Sequence, residues 1–164
     1  MKWATCNVGA SKPEEYGNYY AWGEISPKAE YTEENSITYL EEMNDISGNP
    51  QYDAARANWG GSWRMPRENE MEELRDYCEW EWTQKNGVNG YKVIGRNGKS
   101  IFLPAAGGRG GSSLHDAGGN GFYWSSTPFE SDSNGAYYLY FDSDNQNLNN
   151  CSRYSGLSVR PVVE

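Results

Sequence analysis

Few residues in this chain are of types that do chemistry, and each sits in a context that points away from catalysis. His115 is the single histidine. It stands beside Asp116 in a glycine-rich stretch with no Ser or Cys nucleophile placed as a triad requires, so a surface role is expected. The three cysteines, Cys6, Cys78 and Cys151, match neither a zinc-ligand spacing nor a disulfide framework. At most one pair could bridge, and free buried thiols are the expectation. Asp142, Asp144 and Gln146 imitate the start of a calcium loop. An EF-hand would need Gly where the chain has Asn147 and Glu where it has Arg153, so that spacing fails. The lectin calcium signatures Glu-Pro-Asn and Trp-Asn-Asp are missing too. Gly107 to Gly121 is glycine-rich, but no Gly-Lys-Ser/Thr follows to make a phosphate loop. No catalytic residue, metal ligand or cofactor is assigned from these patterns.

The remaining chemistry is recognition. Ala136 to Asp142 alternates strictly, which places Tyr137, Leu139 and Phe141 on one face of a strand and Tyr138, Tyr140 and Asp142 on the other. The first face can bury. The second offers two tyrosines and a carboxylate to solvent beside a run of Asn, Asp, Ser and Gln. Tyr supplies rigid amphipathic area and Asn supplies adaptable hydrogen bonding, a combination suited to a binding surface.

The rest of the chain must position that face. At 164 residues, one domain spanning 1–164 is expected, long enough for its own core. Hydrophobic content is only 37%, yet aromatics reach 15%, with seven Trp and thirteen Tyr. A few large rings can bury the area a fold needs and argue against disorder. A net charge of -9 argues against a nucleic-acid partner, because phosphate contacts need a basic face. No apolar run approaches the ~18 residues of a spanning helix, so membrane insertion is not expected. No signal peptide is visible, and a trimmed chain is one reading of the start at Met1.

In chain order, Met1 to Gly9 reads as a short strand with Trp3 and Cys6 inward, and Tyr16 to Glu24 as packed loop. Ile25 to Pro50 is a polar excursion with a helical turn near Tyr39 to Met43. Asp53 to Asn58 suits a short helix begun by Asp53 and ended at Trp59-Gly60-Gly61. Met71, Leu74, Tyr77 and Cys78 recur at helical spacing, so a one-sided helix is predicted over Glu68 to Trp80, with Pro66 at its start. Its acidic face (Glu68, Glu70, Glu72, Glu73) reads as solvated. Asn97-Gly98 between apolar runs predicts a hairpin of Tyr91 to Gly95 with Ser100 to Ala105. Final strands are predicted at Phe122 to Ser126, Ala136 to Asp142, Leu148 to Arg153 and Ser158 to Val163. Trp63 and Trp124 are expected in the core. Arg64 and Arg160 are expected to satisfy a carboxylate or buried carbonyls, with Glu70 a partner.

Three groups of residues together resemble a known family. They are Trp3 to Gly9 (WATCNVG), Gly61 to Pro66 (GSWRMP) with Glu70 and Leu74, and Tyr123 to Thr127 (YWSST) with Gly156 to Val162 (GLSVRPV). In combination they resemble the Fibrobacter succinogenes major paralogous domain over nearly the whole chain. Arg67 departs from the Thr usual there as a helix cap, and Met71 from a common Trp. That resemblance implies an α+β, single-domain C-type lectin-like fold, with two helices, short antiparallel strands and long loops. More distantly, it extends to the formylglycine-generating enzymes.

The last third is also similar to the variable proteins of diversity-generating retroelements, in which Asn codons are randomised on a fixed lectin-like scaffold. On that resemblance, Asn145, Asn147, Asn149 and Asn150 are unmutated template positions. Phe129, Asp132, Tyr138, Tyr140, Asp142, Asp144, Leu148, Ser152, Tyr154 and Leu157 are changed ones, while Glu130 and Gln146 cannot arise from Asn codons in this way. With Phe122 and Gln146 added for their place in the same stretch, these residues form the expected ligand-binding set within a variable region of about 121–157. The expected function is non-catalytic receptor binding or adhesion. The partner would be a surface protein or glycan of a host or neighbouring cell, met from a phage virion or bacterial surface. The alternatives are an enzyme related to the formylglycine-generating oxidases and a structural adhesin module that is not diversified.

Overall fold

A computed structural model describes residues 1–164. The chain opens with β1 (Lys2–Trp3), which pairs antiparallel with the closing strand β10 (Val162–Val163), Lys2 opposite Val163. The two ends therefore lie side by side. Between them come two helices, α1 (Ala54–Trp59) and α2 (Glu68–Tyr77), and a sheet of β2 (Glu79–Lys85), β3 (Val88–Ile94) and β4 (Ser100–Pro104). A small hairpin of β5 (Gly108–Gly110) and β6 (Ser113–His115) follows. The last sheet holds β7 (Gly121–Pro128), β8 (Gly135–Phe141) and β9 (Gln146–Ser152), with β8 central. Every strand pair in these sheets is antiparallel. The architecture is α+β.

Both helices begin as their sequences demand. Asp53 is fully buried, and its carboxylate accepts from Arg56 N at 3.0 Å, Gly48 N at 2.7 Å and Met65 N at 2.9 Å. One side chain thus caps α1 and ties two loops to it. At α2 the cap position is Arg67, whose side chain cannot accept a hydrogen bond. Glu70 accepts from Arg67 N at 2.8 Å, and Thr127 Oγ1, from β7, accepts from Glu68 N at 3.0 Å. A residue distant in sequence does the work of the missing cap.

β8 feeds the core from both faces, though on the Tyr138 side Ala136 alone is buried. Leu139 and Phe141 join Met71 and Leu74 of α2 with Tyr91, Val93, Leu103 and Tyr123. Ala136 and Trp124 join Trp22, Tyr20, Val8, Ala54, Ala55 and Val159. Trp124 Nε1 donates to Tyr20 O at 2.7 Å and Trp22 Nε1 to Ser125 O at 2.9 Å. Each buried indole thus finds a carbonyl on the other's segment. Arg160, also fully buried, donates to Asn7 Oδ1 (2.8 Å), Ala4 O (3.0 Å) and Phe102 O (2.8 Å). It meets the carbonyls predicted for it and no carboxylate, joining both chain ends to β4.

Several expectations are corrected. β1 stops at Trp3, and Trp3 and Cys6 are only half-buried, while Ala4, Asn7 and Val8 are the inward residues. No helix forms at Tyr39 to Met43; the excursion carries a 3-10 turn at Glu33–Asn35 instead. α2 ends at Tyr77, which is 58% exposed, and Trp80 lies in β2. Asn86 and Gly87 both have positive φ (49° and 81°), the tight turn that joins β2 to β3. Glu70 is not solvated: with Glu164 it holds Arg64, at 2.7 Å for each pair. Trp63 is half-buried against Trp59, and the last strand covers only Val162–Val163 of the predicted Ser158 to Val163. Tyr137 is half-buried, its hydroxyl donating to Glu130. The Asn97-Gly98 hairpin and the positions of β7, β8 and β9 stand as predicted to within two residues.

Candidate functional site

The hairpin joining β8 to β9 sets which side chains share a face. Asp142 N donates to Asn145 O at 3.1 Å, and Asp142 Oδ1 accepts from Asp144 N (2.9 Å) and Asn145 N (2.8 Å). That tight turn puts Tyr140 opposite Asn147, Tyr138 opposite Asn149 and Ala136 opposite Cys151. Across β7, Tyr140 faces Phe122 and Tyr138 faces Trp124. One sheet face therefore carries Phe122, Tyr138, Tyr140, Asn147, Asn149 and Cys151.

The rings on this face form a plate. Phe122 stacks on Tyr138 with centroids 5.9 Å apart and 28° between planes, and meets Tyr140 edge-on at 5.5 Å. Tyr140 Oη donates to Asp142 Oδ2 at 2.9 Å, which fixes that ring and leaves the carboxylate below its ordinary range. Asp142 owes this first to the Asp144 backbone N–H and then to Tyr140. Tyr138 is not the free surface residue that alternation predicts. Half-buried, it leans edge-on against Trp124 at 6.3 Å.

Beside the plate lies an open concavity of about 260 Å³, walled by Phe122, Tyr138, Cys151 and Leu157 and closed by the β5–β6 hairpin. The hairpin folds back because Arg109 and Gly156 exchange backbone hydrogen bonds, Arg109 N to Gly156 O at 2.7 Å and the return at 2.8 Å. It brings Arg109, His115 and Asp116 to the rim. The Arg109 guanidinium lies over the Tyr19 ring at 5.1 Å and makes no ion pair. Burial pushes both the Tyr138 hydroxyl and the Cys151 thiol up to about 12. The walls are thus uncharged at neutral pH while the rim offers a cation and a carboxylate. Such a site can stack a flat or apolar ligand face and hydrogen-bond its edges.

The predicted residues divide into three groups, with Leu157 apart from them. Phe122, Tyr138, Tyr140, Asp142 and Asp144 gather at the plate and its turn. Gln146 and Leu148 pair with Phe141 and Leu139, so they belong to the opposite face under α2. Gln146 Nε2 donates to Tyr91 Oη at 3.0 Å, and Leu148 packs against the second core cluster. Phe129, Asp132, Ser152 and Tyr154 lie toward the other end of the sheet, where Phe129 packs on Tyr137 and Tyr154 on Tyr39. Leu157 is 3% exposed, a core residue that floors the concavity. His115 and Asp116 are exposed as expected, yet they reach the rim, and with Arg109 they were not foreseen as site residues. Only its glycine content marked the Gly107 to Gly121 stretch as loop, and nothing local shows that it folds back.

A small α+β domain with paired ends and antiparallel sheets, carrying this face, is the class of protein defined by the structure. Residues 1–163 match the model of the Lcl C-terminal domain, and the chain belongs to that family. No curated protein and no solved structure matches the chain.

Proposed function

We propose that this domain is a non-catalytic ligand-binding module on a C-type lectin-like scaffold, and that its ligand sits on the Phe122–Tyr138–Tyr140 plate and in the adjoining concavity. The observation that carries the reading is the plate itself: two tyrosine rings each in contact with the Phe122 ring, all three half-buried, next to rim groups of both charges. Rigid aromatic anchors with adaptable polar neighbours are how such surfaces bind. Paired termini, two helices and a central antiparallel sheet under long loops support the lectin-like assignment.

The ligand class is a surface protein or glycan of a host or neighbouring cell, and the domain is displayed on a phage virion or bacterial surface. Asn147 and Asn149, exposed beside Tyr140 and Tyr138, fit positions a retroelement would diversify. A thiol held protonated by burial at Cys151 disfavours a thiolate-dependent oxidase at this cavity. The test is binding of the purified domain to an array of glycans and surface-protein ectodomains, with Tyr140→Ala alongside. Loss of captured ligands in the variant supports the reading, and retention of all of them overturns it. A reverse-transcriptase gene near a second copy of the last third would support diversification, and its absence from the locus would remove that part alone.

A further inference from the structure

The turn Thr38–Glu41, with Ile37 just before it, presents two large apolar side chains that the fold does not bury, Leu40 and Ile37. Glu41 N donates to Thr38 O at 3.0 Å, closing a four-residue turn with Leu40 at its third position, φ 66°. That position favours Gly or Asn, because a side chain there crowds the neighbouring carbonyl. The leucine gains no burial in return. It is 62% exposed, and Ile37 close by is 59% exposed.

The backbone beneath is held firmly. Arg153, itself 1% exposed, donates to Thr38 O (2.8 Å), Glu41 O (2.7 Å) and Gly135 O (2.9 Å) and lies over the Trp22 ring at 4.8 Å. Leu40 N donates to Ser133 O at 3.1 Å, and Thr38 Oγ1 to Trp22 O at 2.7 Å. A strained residue persists only where its surroundings over-determine it, and such strain collects at sites of recognition. Here two aliphatic side chains project from a turn that needs no further ordering on binding.

The surroundings give the partner's charge. From Ala29 to Asp45 the chain has no Lys or Arg, but it has Glu30, Glu33, Glu34, Glu41, Glu42 and Asp45, all exposed. Asp132 stands one residue from Ser133 and is exposed as well. Lys28, just before this segment, is engaged with Glu24 and Asn35, so two exposed aliphatic side chains on so acidic a segment are complementary to an apolar hollow bordered by Lys or Arg.

We propose that the Thr38–Glu41 turn, led by Leu40 and Ile37, docks a cationic protein segment with an apolar face. This site lies beyond the Gly135 end of β8 and does not rest on the concavity beside Phe122. The probe is a synthetic amphipathic peptide of Leu and Lys, read by fluorescence anisotropy against the wild-type domain, Leu40→Gly and Phe122→Ala, with melting temperatures for each. Wild type should bind, and a Leu/Glu peptide should not. Leu40→Gly should weaken binding at least tenfold while its melting temperature holds or rises, because strain is relieved; Phe122→Ala should bind as wild type does. Four results would overturn the proposal: no binding by wild type, undiminished binding by Leu40→Gly, a lowered melting temperature for that variant, or loss of binding in Phe122→Ala.

Discussion

Phe122 and Tyr138, on neighbouring strands but not directly opposite each other, stack at 5.9 Å across the β7–β8 ladder. The diagonal contact makes the aromatic face one surface. It also separates two roles that alternation alone merges, because Tyr138 supports the core while Tyr140 does not.

Tyr140→Ala should cost about 1 kcal/mol, for the Phe122 ring contact and the Asp142 hydrogen bond it loses. Tyr138→Ala should cost about 2 kcal/mol, roughly half of a full aromatic-to-alanine core truncation. Trp124→Ala, at 0% exposure, should cost ~3–5 kcal/mol. Urea denaturation of the three variants checks this order.

Arg64 and Glu70 should make the domain acid-sensitive. Burial raises the Glu70 carboxyl, but hydrogen bonds from Arg64 and Arg67 outweigh it and hold the group below its ordinary value of 4.5. Its contribution is therefore complete above about pH 4.5 and lost as pH falls through the lower folded value. Glu70→Gln should cost ~3 kcal/mol at pH 7, because it leaves the buried guanidinium with only the exposed Glu164. The same variant should differ less from wild type at pH 3, as seen in urea titrations at the two pH values.

Arg160 should not tolerate lysine. Its three acceptors, Ala4 and Asn7 on the N-terminal stretch and Phe102 on β4, surround the guanidinium, and a planar fork reaches all of them where a single ammonium cannot. Arg160→Lys should cost about 3 kcal/mol by leaving buried acceptors unpaired. A melting temperature within error of wild type would contradict this.

Much of this fold was legible because it rests on local rules. Strict alternation marked β8, Asn97-Gly98 marked the β3–β4 turn, and Asp53 marked the start of α1. The misses have local causes too. Helical spacing through Cys78 hid the strand that begins at Glu79, although Glu79-Trp80-Glu81-Trp82 alternates and leads to a second Asn-Gly pair at Asn86-Gly87. The binding set needed the β8–β9 register. Without it Gln146 and Leu148 look like partners of Tyr140, whereas the tight turn at Asp142–Asn145 sends them to the opposite face and brings Asn147 and Asn149 across. Arg109, His115 and Asp116 depend on a hairpin that returns to Gly156, a contact no sequence window contains.

The central claim is that ligand binds the Tyr140 face of the sheet and not the Leu148 face. The most direct measurement is the affinity of the domain for a ligand captured on the array, by calorimetry, in Tyr140→Ala, Asn147→Ala and Gln146→Ala, with and without EDTA. The account predicts a loss of ~2 kcal/mol or more for Tyr140→Ala and less than ~1 kcal/mol for Asn147→Ala. Gln146→Ala and EDTA should leave affinity unchanged. Full affinity in Tyr140→Ala, or binding abolished by Gln146→Ala or by EDTA, would contradict it.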